Sequence, residues 1–267
     1  MAVTRLRALA SFAGGAVIGT LGGLIGLGGA EFRLPLLVGA FRFAVLDAVI
    51  LNKAMSLVVV AAALPFRAGA VPLGLVAANG TVIVNLLAGS LLGAWIGAGW
   101  AMRMDAARLH RVIALLLILI AGALLFGHGA AGGGSPLDGL ALDGLALIAA
   151  GTAVGFAIGV VASILGVAGG ELLIPTLVLL FGVDVKLAGS LSLAISLPTM
   201  IAGFSRYARD RSLSVLARNR RFVLLMAAGS LAGAFIGGRL LGIVPESVLL
   251  PVLSAILLLS AAKMWRH

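Results

Sequence analysis

The sequence predicts an all-α integral membrane protein. It is read as two inverted-topology repeats, each with four long transmembrane helices plus one short broken or half helix after a glycine-rich turn. Three observations carry this. First, 62% of the 267 residues are hydrophobic and 10% are charged, whereas soluble domains carry about 25% charged residues. Apolar runs of about 20 residues recur throughout, each long enough to span a bilayer as a helix. Second, the chain repeats itself. Third, the loops of the two halves carry opposite bias in their basic residues.

The repeat is clearest at "GLGGAEFRLP", residues 26–35, which returns as "GVAGGELLIP", residues 166–175. Gly26, Gly29, Glu31 and Pro35 match Gly166, Gly169, Glu171 and Pro175, at an offset of 140 residues. The same offset holds downstream without a gap. Phe41, Leu51, Ala54 and Ser56 match Phe181, Leu191, Ala194 and Ser196, and eight of the ten residues of 88–97 equal those of 228–237. The Gly-rich stretch 127–143 is the expected linker between a first repeat, 1–126, and a second, 144–267.

Within the first half, long spans are expected near 8–25, 45–64, 72–99 and 107–126, with a short apolar piece near 30–42. The second half repeats them near 144–164, 185–205, 220–241 and 246–264, with its short piece near 170–182. The start of the chain resembles a signal peptide, with Arg5 and Arg7 ahead of an apolar run. It is read as a retained first span because no soluble domain follows. A piece of about 12 residues spans roughly 18 Å as a helix, short of a hydrocarbon core of about 30 Å. It is either a re-entrant half-helix or one limb of a broken crossing.

The basic residues favour the crossing. Region 64–81 holds one, Arg67, while its counterpart 204–221 holds Arg206, Arg209, Arg211, Arg218, Arg220 and Arg221. The next loops reverse the bias: 99–111 holds Arg103, Arg108 and Arg111, and 239–251 only Arg239. If positive loops stay inside, equivalent loops lie on opposite sides. Each half then crosses an odd number of times, and both termini are expected to be cytoplasmic. The net charge of +10 lies in short loops that set topology, so no nucleic-acid partner is expected.

The glycine breaks raise the question of function. Non-helical backbone at membrane depth survives only where protein or a water-filled cavity satisfies it. Paired interruptions in two inverted halves point to a transporter's binding site. The N–H groups that open a helix suit an anion. The two helix starts, Gly28, Gly29 and Ala30 in one half and Ala168, Gly169 and Gly170 in the other, are the candidate backbone donors. Lys53, inside an apolar span, is the candidate cation, with Asn52, Ser190 and Ser192 as donors. Alternatives stand beside this reading: the glycines only turn a helical hairpin, and Lys53 snorkels or pairs with Glu31 or Asp47. Glu31 and Glu171 are candidates for proton coupling, or complement the dipole of a first helical turn. Arg33 is placed lower, as a residue facing the headgroups.

Other signals point to packing. "GAVIG", "GSLLG", "GAWIG", "GFAIG" and "GAFIG" are GxxxG steps that let helices approach closely. Pro198 is expected to kink its helix, and Trp95, Trp100 and Trp265 fit interface anchors or packing. No cofactor and no metal is expected: there is no Cys, His110, His128 and His267 are dispersed, and no catalytic motif appears. The chain is therefore not expected to be an enzyme.

The duplicated glycine turn with Pro35 and Pro175, together with "AVILNKAMS" and "AGSLSLAISLPTMIAGFSRYARDR", resembles the TauE/SafE family of membrane transporters. The resemblance covers nearly the whole chain. It implies movement of a small anion, notably sulfite or an organosulfonate such as sulfoacetate, across the bacterial inner membrane, often as export. It points to Gly26, Gly28, Gly29, Gly166, Gly169 and Gly170, and to Asn52 and Lys53 with Ser190 and Ser192. Ala30 and Ala168 each stand where the family motif commonly has glycine. The expected function is thus alternating-access transport of a sulfonate or sulfur oxyanion, with an anion channel, or a transporter of another small organic anion, as the alternative.

Overall fold

Over their described residues the two halves fold as the same run of helices, from α1 to α5 in the first and from α7 to α11 in the second. The computed structural model describes residues 2–25, 29–67, 71–127, 144–210, 212–239 and 258. In the first half these form α1 (Ala2–Ile25), α2 (Ala30–Gly39), α3 (Val45–Arg67), α4 (Leu73–Ala78), α5 (Gly80–Arg103) and α6 (Ala106–Gly127). The second half gives α7 (Leu145–Leu165), α8 (Gly170–Phe181), α9 (Val185–Asp210), α10 (Ser212–Arg218) and α11 (Arg220–Arg239). The span expected near 246–264 and the linker 127–143 lie, but for Gly127 and Leu258, outside the described residues. Among the described residues five helices are long and apolar enough to cross a membrane: Val45–Pro65, Gly80–Arg103, Leu145–Leu165, Leu187–Tyr207 and Arg220–Gly237. The protein is an all-α, multi-pass membrane protein.

The glycine turns break the chain as expected. Gly29 at φ 67° and Gly169 at φ 81° sit immediately before α2 and α8, and Gly166 at φ 68° ends α7. This left-handed region is open to glycine at little steric cost. Both short helices then run back along the helix before them. Gly29 packs against Ile18, and Gly14 faces Leu36. In the second half Gly169 packs against Ile158 and Ala162, while Gly151 meets the Phe181 ring at the far end of α8. Phe43 returns to the level of Arg7, whose guanidinium lies 5.9 Å from its ring centre. From residue 7 to residue 18 is about 16 Å of helix, so α2 starts at a distance from Arg7 of about half the thickness of a hydrocarbon core.

Two features differ from the sequence reading. The span expected over 72–99 is divided into α4 and α5 at Asn79, and α10 and α11 divide in the same way at Asn219. At both points the side-chain amide donates back four residues, Asn79 Nδ2 to the Leu75 carbonyl and Asn219 Nδ2 to the Val215 carbonyl, each at 2.9 Å. The amide thus satisfies a carbonyl at the end of the short helix. The stretch from Arg206 to Arg221, read as a loop, is helical on either side of residue 211: α9 continues to Asp210 and α10 follows.

The halves are joined by exchanged pairs, α1 with α11 and α5 with α7. Side chains longer than hydrogen are excluded at their seams. A Cβ on Gly15 or Gly19 would run into the carbonyls of Met226 or Ser230, and one on Gly229 or Gly233 into those of Phe12 or Ala16. The equivalent seam repeats this: Gly155 and Gly159 abut the carbonyls of Leu86 and Ser90, and Gly89 and Gly93 those of Thr152 and Phe156. Small residues let helix backbones approach closely in a bilayer. In both seams residue numbers rise together, so the paired helices run in the same direction.

The register of α3 and α9 is opposite. Lys53, early in α3, reaches Gly203, late in α9. Val60, Ala63 and Leu64, later in α3, share a cluster with Leu193, Leu197 and Met200, earlier in α9. Helix α9 in turn runs with α5: Ser90 meets Thr199 at 2.7 Å, and Arg206 stacks 5.0 Å from the Trp95 ring centre.

Candidate functional site

The breaks, α3 and α9 meet in the interior, and the polar side chains of the fold collect there. Asn52 stitches two chain breaks together. Its Nδ2 donates to the Ala30 carbonyl at 2.9 Å, at the start of α2, and to the Leu165 carbonyl at 3.4 Å, at the end of α7. Residues 52 and 56 are four apart on α3 and so share a face. Arg33 reaches that face: its Nη1 donates to Asn52 Oδ1 at 3.3 Å and Ser56 Oγ at 3.0 Å, while Nη2 donates to Ser230 Oγ of α11 at 3.1 Å. Arg33 is 0% exposed. It does not face the headgroups, as the sequence reading had it. It ties α2, α3 and α11 together, using the fork of donors that a guanidinium holds rigidly.

Lys53 points to the neighbouring break. Its Nζ donates to Ser163 Oγ of α7 at 2.9 Å and lies 5.9 Å from the Tyr207 ring centre. Tyr207 Oη donates to the Ser163 carbonyl at 2.9 Å. Lys53 is 0% exposed, so it does not snorkel. Among the described residues no carboxylate pairs with it. Gly203 makes the room: a Cβ there would stand 2.5 Å from Lys53 Nζ and 2.6 Å from Ser163 Oγ. An isolated ammonium in a dry interior is costly unless paired, and among the described residues this one is held by one neutral hydrogen-bond acceptor and an aromatic ring.

The remaining expected site residues are spread around this centre. Ala30 and Gly29 lie at the start of α2, the former through its bond from Asn52. Ala168 is buried and packs with Val60, Leu193 and Met200. Gly169 and Gly170 open α8, where the Leu172 and Leu173 amides donate to the Gly169 carbonyl at 3.1 and 3.0 Å. Ser190 and Ser192 are buried on α9. Ser192 Oγ donates to the Gly189 carbonyl at 2.9 Å, on its own helix; it is too short to bridge the breaks as Asn52 does. Lys53 bonds to Ser163, while the expected donors Asn52 and Ser192 bond to backbone carbonyls. Gly26 and Gly28, and the side chains of Glu31 and Glu171, lie outside the described residues.

The repeat makes the site lopsided. Leu173 and Leu193 stand where the first half has Arg33 and Lys53. The two cations buried among the described residues thus come from the first half, while Ser163 and Tyr207, which receive Lys53, come from the second. Sequence reasoning missed Ser163, Tyr207, Ser56 and Ser230. Ser56 alone left a usable trace, at helical spacing from Asn52.

The family model for the sulfite exporter TauE/SafE matches residues 2–124 and 149–267. No curated protein and no solved structure matches the chain. The match takes in every helix of the site and nearly the whole length of both halves. The chain belongs to the TauE/SafE sulfite exporter family, a family of membrane transporters and not of enzymes.

Proposed function

We propose that this protein exports a small anion, a sulfonate or sulfur oxyanion such as sulfoacetate or sulfite, across the bacterial inner membrane by alternating access. The observation that carries the reading is Lys53, buried without a carboxylate partner among the described residues and held by Ser163 at a helix break. An anion entering beside it supplies the missing countercharge. The half-helix starts at Gly29 and Gly169 add N–H groups and the positive ends of helix dipoles. Burial of Lys53 from both sides supports alternating access, since a solute reaches it only after packed helices separate.

The inverted arrangement is part of this proposal. Antiparallel crossing of α3 and α9, equivalent helices of the two repeats, supports it. An axis along the membrane normal would set equivalent helices side by side in one direction. The return of α2 and α8 along α1 and α7 supports an odd number of crossings per half, with repeats 1–126 and 144–267 and both termini cytoplasmic. Export needs no coupling ion: one negative charge gains about 2.3 kcal/mol per 100 mV on leaving a negative interior. Glu31 and Glu171 are the proposed proton carriers if flux follows a pH gradient.

The test is a thermal-shift panel on detergent-purified protein with sulfite, thiosulfate, sulfate, sulfoacetate, isethionate, taurine, lactate and phosphate. A ligand at 100 times its dissociation constant stabilises the native state by about 2.7 kcal/mol. A shift with a sulfonate or sulfur oxyanion supports the reading. A shift with lactate alone moves the substrate to another class of organic anion.

A further inference from the structure

A second anion site lies at the surface, apart from Lys53. Arg7, Ser11 and Phe43 from the first half, with Arg218, Asn219 and Arg221 from the second, line a cavity of about 380 Å³. Its described lining residues include three arginines and no carboxylate. The three arginines are exposed, so their donors are available to a solute. Phe43 and Phe222 close the inner wall, stacked edge to face with ring centres 5.0 Å apart.

The repeat supplies a control within the same molecule. The equivalent groove between α5 and α7 forms a cavity of about 550 Å³ lined by Thr81, Asn85, Leu147 and Ile148. There Leu147 stands for Arg7, Thr81 for Arg221, and Ala78 for Arg218. The fold therefore makes this groove twice and arms it with arginine once. Beside the armed groove, Leu9, Phe12 and Leu224 present apolar side chains outward, at 72%, 44% and 62% exposure. In a multi-pass membrane protein such an apolar border to a basic cavity faces acyl chains.

We infer that this groove binds the phosphate of an anionic phospholipid headgroup, with the acyl chains lying along Leu9, Phe12 and Leu224. Basic pockets between transmembrane helices recognise such headgroups by charge, and a guanidinium pairs with phosphate through parallel N–H donors. The position gives the lipid a consequence. Arg7 lies on α1, while Arg218 and Arg221 flank Asn219, where α10 gives way to α11. A bound phosphate draws the start of α1 onto that joint and braces the seam between the halves. This site is independent of the transported substrate.

The experiment uses full-length protein, delipidated in neutral detergent, and reads melting temperature against added dioctanoyl phosphatidylglycerol, dioctanoyl phosphatidylcholine or inorganic phosphate. Phosphatidylglycerol is expected to stabilise the wild type at concentrations where the other two do not. The triple variant Arg7→Gln, Arg218→Gln, Arg221→Gln is expected to need roughly 100-fold more of it. A second triple variant, Arg103→Gln, Arg108→Gln, Arg111→Gln, removes the same charge elsewhere and is expected to respond like wild type. All six side chains are exposed, and the melt without lipid reports the folding of each variant. Equal loss in both variants, or equal response to phosphatidylcholine, overturns the site. Inorganic phosphate acting as strongly as the lipid overturns the lipid as its occupant.

Discussion

Replacing Lys53 with methionine separates binding from folding more cleanly than any other change here. Methionine is unbranched and fills nearly the same space, so the wall around Gly203 and Tyr207 is kept. The fold loses one hydrogen bond, Lys53 Nζ to Ser163 Oγ at 2.9 Å, worth about 1 kcal/mol net. It also sheds a buried cation whose desolvation costs several kcal/mol when unpaired. The second quantity is larger, so the variant without ligand is expected to melt at or above the wild-type temperature. Binding moves the other way. A charged hydrogen bond contributes roughly 1.5–3 kcal/mol, which at 1.4 kcal/mol per tenfold weakens the anion about 10- to 150-fold. Isothermal titration with the best anion of the panel gives the affinity, and a melt gives the stability. Wild-type affinity in Lys53→Met refutes the assignment. A ligand-free melt far below wild type refutes the argument that the lysine is an uncompensated charge.

Three further outcomes follow from the geometry. Because the chain has no cysteine, single Gly74→Cys and Ser214→Cys variants report topology without background: they are equivalent positions, and impermeant maleimide is expected to label them from opposite sides of the membrane. Gly159→Ala drives a Cβ into the Ser90 carbonyl and is expected to cost about 1–3 kcal/mol, whereas Gly80→Ala, with nothing within 4 Å, is expected to be neutral or stabilising by up to about 1 kcal/mol; melts of the two check it. Arg33→Met leaves buried Ser56 and Ser230 without their donor and is expected to lower stability by about 1–3 kcal/mol, with Arg33→Lys failing to restore it because an ammonium lacks the fork.

The order of the described helices was legible because its causes are local. Gly29, Gly166 and Gly169 occupy left-handed backbone, and a glycine cluster in an apolar run announces such a turn. The apolar spans follow from hydropathy alone. Asn79 and Asn219 were visible as a repeated pair, but their bonds back to Leu75 and Val215 depend on where a helix ends, which composition does not mark. The site was legible only in its charges. Lys53 stood out because a cation in an apolar run is expensive. Arg33 did not: a charge just after a break suits an interface as well as an interior. What buries it is Ser230, 197 residues away. Ser163 and Tyr207 were hidden for the same reason, the latter inside an arginine-rich stretch that reads as loop until α9 is seen to pass through it.

The central claim is that Lys53 serves a carrier that moves a sulfonate or sulfur oxyanion. Counterflow in sealed proteoliposomes tests it most directly, with labelled sulfoacetate or sulfite outside and unlabelled anion inside. The account predicts uptake that saturates with concentration, is accelerated by anion on the opposite side, and in Lys53→Met falls about 10-fold or more at sub-saturating anion. Uptake that rises linearly with concentration, shows no acceleration and persists in Lys53→Met contradicts it, and describes a channel instead.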